Sequence, residues 1–276
     1  MHKIHKMIKL LAILLIMAIL VPNKFIKEID EEYFDSNVRN FYGYYIKKEY
    51  WDLKDINFEQ NNILKYSKSN FINIAHGLGA RNTDKENTYE AFSISLGQGF
   101  KFFEVDIFLD PNGNLNCSHD MTEFKTICNL EDILRKVHAK KSYLIIDIKS
   151  EFSKTFNHII QRSKMNNDPM WSSLILQIYR PNELEYYYKS KEYKRFFNPP
   201  IISTYKSNRK ISDICKDLLN TGIDTIAMSL NKAKVNTGSC KKYNILIHPV
   251  QSCLEIAKFD NVNGIFTNSE TKSCQI

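Results

Sequence analysis

The sequence predicts an α/β fold, a (β/α)₈ TIM barrel with a β-hairpin after its second strand. From about residue 70, short runs rich in β-branched and aromatic residues alternate with helix-like or turn-like stretches, which is typical of βα units around a parallel sheet. Eight of these runs are spaced widely enough for helices to intervene. Eight is the number of strands that closes such a barrel.

Nine strands are predicted in all. The eight barrel strands lie at residues 71–76, 101–109, 143–149, 174–179, 200–205, 224–230, 244–250 and 264–268. The ninth, at 115–119, follows its predecessor after only DPNGN, whereas a parallel crossover needs a dozen or more residues. It must therefore return antiparallel, as a hairpin. The spacer NKAKVNTGSCKK, at 231–242, is poor in helix formers, so the helix of that unit is missing or replaced by a loop.

The chain before the barrel divides into two segments. Residues 1–22 place Lys3, Lys6 and Lys9 ahead of an unbroken apolar run from Leu10 to Val21. The run is shorter than the ~20 residues of a spanning helix, which favours a signal peptide, with a short membrane anchor as the alternative. We therefore expect an exported protein, either membrane-anchored or periplasmic or extracellular, with membrane contact through this segment. Residues 23–69 form a partly helical extension, and residues 70–276 form the barrel.

Composition limits the function classes. The 276 residues are 43% hydrophobic and 25% charged, as in an ordinary globular protein. The net charge of +7 comes from scattered lysines that acidic residues interrupt, which argues against a nucleic-acid partner. Six cysteines without a CxxC unit argue against a zinc ribbon and are compatible with an oxidising compartment. Cys117 is expected to be packing or a disulfide partner of Cys128.

Titratable residues follow the predicted strand ends, where βα loops form the functional face of a barrel. His76 ends the first strand. Glu104 and Asp106 lie two apart on the second, and Asp147 and Lys149 repeat that spacing on the next barrel strand, so each pair shares one face. Three carboxylates and a lysine are therefore predicted to converge on one rim.

The hairpin brings a second histidine to the same place. If its turn is centred near Asn112 and Gly113, His119 lies across from the segment Glu104 to Asp106. Carboxylate oxygens without thiolates suit Mg²⁺ or Ca²⁺ rather than structural zinc. The predicted cofactor is thus a divalent cation of this kind.

The loop after His76 leads into a predicted helix. Asn87 is expected to cap that helix, with Glu90 completing a capping box. A helix start beside His76 favours a bound phosphate, and Gly77 and Gly79 let a ligand approach the main chain.

These motifs resemble a known family. The segment IAHGLGARNTDKENTYEAFSISLGQGFKFFEVDIFLDPNGNLNCSHD, residues 74–120, resembles the opening signature of the glycerophosphodiester phosphodiesterases: HRG, PENT, a Glu-x-Asp pair, a turn and a closing HD. LIIDIKS resembles the L-x-E-I-K strand of that family with Asp147 in place of Glu. GIFTN resembles its terminal GI-x-TD segment with Asn268 in place of Asp. The likeness covers residues 71–270.

The resemblance implies a phosphoric diester hydrolase on a barrel of the phospholipase C-like superfamily. The implied reaction is metal-dependent hydrolysis of a glycerophosphodiester to glycerol phosphate and an alcohol, or of a related lipid or glycan phosphodiester. It implies general base and acid roles for His76 and His119 and a divalent cation held by Glu104, Asp106 and Asp147. Lys149 would face the phosphate, while Glu86 and Asn87 match the PENT carboxylate and amide that shape the site.

The chain departs from the family pattern in two further respects. The arginine that follows the first histidine is absent, which removes a bidentate phosphate partner, and Arg81 could take its place from the loop. The large family insertion is also absent, so a more open cleft and a larger or polymeric substrate are expected.

Two alternatives stay open. The first is a catalytically inactive barrel that acts as an exported envelope binding or assembly protein. The second is a phosphatidylinositol-type phospholipase C, which would accumulate a cyclic inositol phosphate. His248, Gln177 and Tyr179 also end predicted strands, and they either line the cup or pack in the core.

Overall fold

The computed structural model describes residues 53, 55–58, 71–119, 128–196, 199–205, 207, 209–234, 240–248 and 262–268. They all lie in the second of two units into which the chain divides, residues 50–276. The predicted signal or anchor segment, 1–22, and most of the predicted extension, 23–69, lie outside the described residues. Within the described ranges, no helix is both long and apolar enough to cross a membrane.

Eight parallel strands close into a barrel, as predicted. The strands are β1 Ile72–Ala75, β2 Phe102–Leu109, β3 Leu115–Cys117, β4 Tyr143–Ile148, β5 Leu174–Ile178, β6 Ile201–Ser203, β7 Thr225–Met228, β8 Asn244–Ile247 and β9 Val262–Thr267. Their order is β1-β9-β8-β7-β6-β5-β4-β2, and β1 pairs with β2 to close the ring. Strand β3 is the exception and runs antiparallel on β2 through Ile107↔Cys117. The predicted hairpin is therefore confirmed.

Helices occupy the connections between strands. They are α1 Tyr89–Gly97, α2 Leu130–Ala139, α3 Phe152–Asn166, α4 Pro181–Lys189, α5 Ile211–Asp217 and α6 Leu230–Lys234. In α2, Asn129 caps the first turn by accepting from the Glu131 N–H, and the buried residues follow helical spacing at 130, 133, 134 and 137. The unit predicted to lack a helix has the five-residue α6, which starts one residue before the helix-poor spacer and is the shortest α-helix among the described residues.

Strand alternation divides the apolar residues into two cores. One core fills the inside of the barrel and consists of Ile72, Ile74, Ile145, Ile175, Ile201, Ala227, Leu246 and Phe266. The larger core lies between the strands and the surrounding helices. Because successive strand residues point to opposite faces, the inside row of each strand continues upward at every second residue. This continuation determines which side chains reach the mouth of the barrel.

Two disulfides join loops to this framework. Cys117 at the end of β3 bonds Cys128, and Cys215 in α5 bonds Cys240. The pairing of Cys117 with Cys128 was one of two sequence-based alternatives, and it is confirmed. Cys253 and Cys274 lie outside the described residues.

The end of the predicted extension belongs to the core. Phe58 is 1% exposed and lies against the rings of Tyr187, Tyr188 and Tyr193. Its N–H donates to the Thr221 carbonyl oxygen at 2.6 Å. A Cβ on Gly222, whose φ is +76°, would lie 2.0 Å from the Phe58 oxygen, so only glycine fits. This contact lies just before β7, at the amino ends of the strands and opposite the mouth.

Replacing Phe58 with alanine should destabilise the protein by about 3–5 kcal/mol, because the substitution leaves a cavity among buried rings. Urea unfolding of the full chain, followed by circular dichroism, measures the change. Met165→Ala is the matched control, since Met165 is 75% exposed, and it should change stability by less than about 0.5 kcal/mol. Equal effects of the two substitutions would show that residue 58 does not belong to the core.

Candidate active site

The mouth of the barrel is a cup of polar side chains that continue the inside rows of the strands. His76 lies two residues after Ile74, just past the end of β1, and His248 lies two residues after Leu246, just past the end of β8. The same step carries β4 from Ile145 to Asp147. The buried or partly buried polar side chains that form the cup are His76, Glu104, Asp106, Asp147, Lys149, Gln177, Tyr179 and His248.

Three carboxylates meet inside the cup. Glu104, Asp106 and Asp147 are each no more than 3% exposed, and each offers an oxygen within 4.8 Å of the others. Strand register produces this meeting, because Asp106 on β2 pairs with Asp147 on β4. The predicted convergence of the three acids on one rim is confirmed.

Lys149 compensates part of their charge. Its ammonium nitrogen lies 3.0 Å from Asp106 Oδ1 and 2.6 Å from Asp147 Oδ2. Burial lowers the pKa of Lys149, but the charges of Asp147 and Asp106 outweigh burial and the net shift is upward. Lys149 therefore stays charged. In this structure the Lys149 ammonium is bonded to Asp106 and Asp147. Its contact with the substrate phosphate stays a prediction.

The pKa values of Glu104 and Asp106 are shifted in opposite directions. Burial, followed by the charges of Asp106 and Asp147, raises the pKa of Glu104 well above its ordinary value. Burial also acts to raise the pKa of Asp106, but Lys149 and Arg81 outweigh it and hold that pKa below its ordinary value. Glu104 thus takes up the proton when nothing else neutralises the three acids.

The donor set fits a hard divalent cation. Asp147 Oδ1 is a buried carboxylate oxygen without a hydrogen-bond partner among the described residues. Leaving such an atom bare costs about 1–3 kcal/mol or more. A cation among the three carboxylates would satisfy this oxygen and remove the need for a proton on Glu104. Carboxylate oxygens are the ligands that Mg²⁺ and Ca²⁺ prefer.

The loop after His76 holds Glu104 in place. The Gly77 N–H donates to Glu104 Oε2 at 2.8 Å. Gly77, Leu78 and Gly79 have φ values of 55°, 61° and 97°, so the chain turns through the left-handed region. A Cβ on Gly77 would lie 2.8 Å from Glu86 Cγ. Gly77 was predicted to contact a ligand, but its N–H is already bound to the carboxylate.

The predicted capping role of Asn87 is wrong. Thr88 caps α1 by accepting from the Ala91 N–H. Asn87 has a φ of 59°, whereas a capping residue is extended. Its side chain instead holds Asp106, donating from Nδ2 to Oδ2 at 3.0 Å and accepting from the Asp106 N–H at 3.1 Å. Glu90 forms an ion pair with Lys85 and no capping box.

Arg81 reaches the same side of the cup. Its guanidinium is paired with Glu86 and lies 3.8 Å from Asp106 Oδ2. Glu86 also accepts from the Asn82 N–H at 3.0 Å. The Arg81 carbonyl oxygen accepts from Asn268 Nδ2 at 3.0 Å, which ties the loop to the end of β9. The role of Arg81 as a phosphate partner in place of the missing arginine stays a prediction.

His76 is paired with a second histidine. His248 Nε2 lies 2.9 Å from His76 Nε2, and Phe266 supports both rings from below. Burial, followed by the charge of His248, lowers the pKa of His76 well below its ordinary value. Burial is also the main cause that lowers the pKa of His248 to about 3. Both imidazoles are therefore neutral near pH 7. His76 Nε2 also lies 3.8 Å from Glu104 Oε2.

His119 lies two residues beyond the end of β3 and is exposed. The hairpin register continues past Ile107↔Cys117, so that the Ser118 N–H donates to the Asp106 carbonyl oxygen at 3.0 Å. One further step places His119 across from Val105, within the segment predicted from the sequence. Its catalytic role stays a prediction.

The sequence analysis leaves open whether His248 lines the cup or packs in the core, although the strand pattern already indicates the cup. A strand that contributes Leu246 to the inside of the barrel must present residue 248 at its mouth. The same counting from Ile175 on β5 leads to Gln177 and Tyr179. Side chains of all three residues line the cup.

The fold and the cup define a (β/α)₈ barrel with a buried carboxylate cluster at its carboxyl mouth. No protein-family model and no curated protein sequence matches the chain significantly. Solved glycerophosphodiester phosphodiesterases do share the fold. The enzyme from Thermotoga maritima is 16% identical with a TM-score of 0.55, and the match covers 73% of this chain and 94% of that one.

Two further solved structures agree. A glycerophosphodiester phosphodiesterase from Parabacteroides distasonis is 14% identical with a TM-score of 0.55, over 71% of this chain and 92% of that one. A phosphodiesterase from Oleispira antarctica, in complex with the product sn-glycerol-3-phosphate, is 15% identical with a TM-score of 0.57, over 73% and 95%. The resemblance seen in the sequence is thereby confirmed at the level of the fold.

Stability should fall on acidification because of His248. Its pKa is about 3 in the folded protein and ~6.5 when unfolded, so between these values only the unfolded chain takes up the proton. Above pH 6.5 His248 does not lower the free energy of unfolding, and that free energy decreases as the pH falls below this value. At pH 5 the loss is up to about 2 kcal/mol relative to pH 7. Urea unfolding at both pH values should show a smaller loss for His248→Gln, and an identical loss would contradict the buried neutral state.

Proposed function

We propose that this chain is a metal-dependent phosphodiesterase. Its proposed reaction is hydrolysis of a glycerophosphodiester to glycerol phosphate and an alcohol, or of a related lipid or glycan phosphodiester. The observation that carries this proposal is the buried cluster of Glu104, Asp106 and Asp147 beside His76 at the mouth of the barrel. The fold shared with glycerophosphodiester phosphodiesterases supports it.

The three acids would hold a divalent cation, Mg²⁺ or Ca²⁺. When bound, this cation would supply positive charge that stabilises the negative charge developing on phosphoryl oxygens. Lys149 and Arg81 add fixed positive charge on the same side of the cup. Gly77 and Asn87 act one step further out, since their hydrogen bonds orient Glu104 and Asp106.

His76 is proposed as the general base. Its imidazole is neutral near pH 7, so it can accept a proton from water or from a neighbouring hydroxyl of the substrate. His119 is proposed as the general acid that protonates the departing alkoxide. The hairpin register, which runs from Ile107↔Cys117 toward the acid-bearing part of β2, supports this proposal. Each proton transfer of this kind contributes typically ~10²- to 10⁴-fold to the rate.

A structural neighbour supports the proposed substrate class. The Oleispira antarctica phosphodiesterase was solved with sn-glycerol-3-phosphate as its product. We propose that a glycerol phosphate moiety binds at the barrel mouth here, where a carboxylate cluster and two cationic side chains meet.

We further propose that the protein is exported and contacts a membrane through its amino-terminal segment. The lysines before the apolar run Leu10–Val21 support this. The disulfides Cys117–Cys128 and Cys215–Cys240 also support it, because such bonds persist in oxidising compartments.

The full chain should hydrolyse glycerophosphocholine or bis(p-nitrophenyl) phosphate when Mg²⁺ or Ca²⁺ is present. His76→Gln and His119→Gln should each lower kcat by roughly 10²- to 10⁴-fold because a proton transfer is lost. His138→Gln is the matched control, since His138 bonds Ser173 at 2.8 Å in a different part of the barrel. Absence of turnover on every diester, together with absence of cation binding, would favour the inactive binding or assembly protein.

The products should be glycerol phosphate and a free alcohol. Phosphorus NMR of a glycerophosphoinositol reaction measures this directly, because glycerol phosphate and inositol phosphates have different resonances. Hydrolysis at the alcohol side gives glycerol phosphate and no cyclic inositol phosphate at the end of the reaction. Accumulation of cyclic inositol phosphate would instead support the phosphatidylinositol-type phospholipase C reaction.

A further inference from the structure

We propose that Tyr179 is a positioning residue for the cation site: its hydroxyl, oriented by Gln177, holds Asp147 so that Asp147 Oδ1 stays free to bind a divalent cation. This inference rests on the proposed metal-dependent function. It concerns residues that the motif analysis assigned to no role in the reaction.

Strand register brings the three residues together. Gln177 on β5 pairs with Asp147 on β4, so the two side chains start as lateral neighbours inside the barrel. Tyr179 lies two residues beyond Gln177 and therefore points to the same side. Its backbone N–H donates to Glu183 Oε2 at 3.1 Å in the first turn of α4, which fixes the position of its main chain.

The hydrogen bonds run in one direction. Gln177 Nε2 donates to the Tyr179 hydroxyl oxygen at 2.7 Å. A phenol has a single proton to donate, and the Tyr179 hydroxyl donates it to Asp147 Oδ2. Because Gln177 donates to the hydroxyl oxygen, the hydroxyl proton of Tyr179 points at the Asp147 carboxylate.

Asp147 consequently has two unlike oxygens. Oδ2 accepts from both Tyr179 and Lys149, the latter at 2.6 Å, whereas Oδ1 is buried without a partner among the described residues. A carboxylate held by two donors on one oxygen cannot rotate freely to share them. Asp147 belongs to the cluster in which three carboxylates each offer an oxygen within 4.8 Å of the others, so Oδ1 is the oxygen that is left for a cation.

The phenol supplies a hydrogen-bond donor without adding charge. A tyrosine hydroxyl has an ordinary pKa of ~10 and is neutral near pH 7. It therefore adds no negative charge to a site that already has three acids. Outer hydrogen-bond partners of this kind orient metal ligands in other proteins.

The test is a calorimetric titration of the full chain with Mg²⁺ alone and Ca²⁺ alone. Tyr179→Phe removes only the hydroxyl and should weaken cation affinity about 10- to 100-fold, the usual effect of losing an outer partner of a metal ligand. Tyr187→Phe is the matched control. Tyr187 is fully buried, and its hydroxyl has no hydrogen-bond partner among the described residues. Its affinity should stay within about twofold of the wild type.

A spectroscopic signature separates positioning from a general structural role. Cation binding changes the charge at the carboxylate to which the Tyr179 hydroxyl donates, so wild type and Tyr187→Phe should give a tyrosine difference spectrum on cation addition. Tyr179→Phe should lack it. Circular dichroism confirms that each variant is folded.

Three results would count against the proposal. If the wild type binds neither cation, both this inference and the metal-dependent function are overturned. If the wild type binds but Tyr179→Phe binds within about twofold, only the role of Tyr179 is overturned. The same holds if the difference spectrum persists in Tyr179→Phe.

Discussion

Repulsion among three buried carboxylates is the constraint on which the rest of the cup depends. Glu104, Asp106 and Asp147 are brought together by strand register inside a closed ring, where little water can screen them. Two neighbouring contacts relieve part of that repulsion. Lys149 adds a positive charge between two of the acids, and the Gly77 N–H donates a hydrogen bond to the third. Under the proposed function, a site built in this way would need a bound cation before an anionic substrate could enter it.

The sequence specified the barrel well, because its evidence is repeated along the chain. Eight apolar runs with helix-length spacers leave few other ways to cover both faces of a parallel sheet. The short DPNGN connection forced the hairpin in the same direct manner. The acids could also be located. Glu104 and Asp106 share one face of their strand, Asp147 and Lys149 share one face of theirs, and both faces end at the same rim.

The sequence was less informative where side chains from distant strands meet. Asn87 fitted a helix cap by its position, but the left-handed turn of its loop directs it to Asp106 instead. That preference depends on a carboxylate contributed by another strand, so no local pattern could show it. His248 lies 172 residues from its partner His76, and only the register of the closed barrel joins them. Helix and strand periodicity can therefore place a residue on one face of its element. Which side chain it contacts on a distant strand depends on the closure of the barrel.

The attachment of Phe58 has a practical consequence for handling the protein. The sequence alone suggests that the globular part starts near residue 70, at the first strand. A recombinant protein that starts at that boundary would lack Phe58. The cavity left among Tyr187, Tyr188 and Tyr193 would be open to water. The Thr221 carbonyl oxygen would also lose its hydrogen-bond donor. Expression designs should therefore begin upstream of Leu53, so that the aromatic surface at the base of the barrel remains covered and does not promote aggregation.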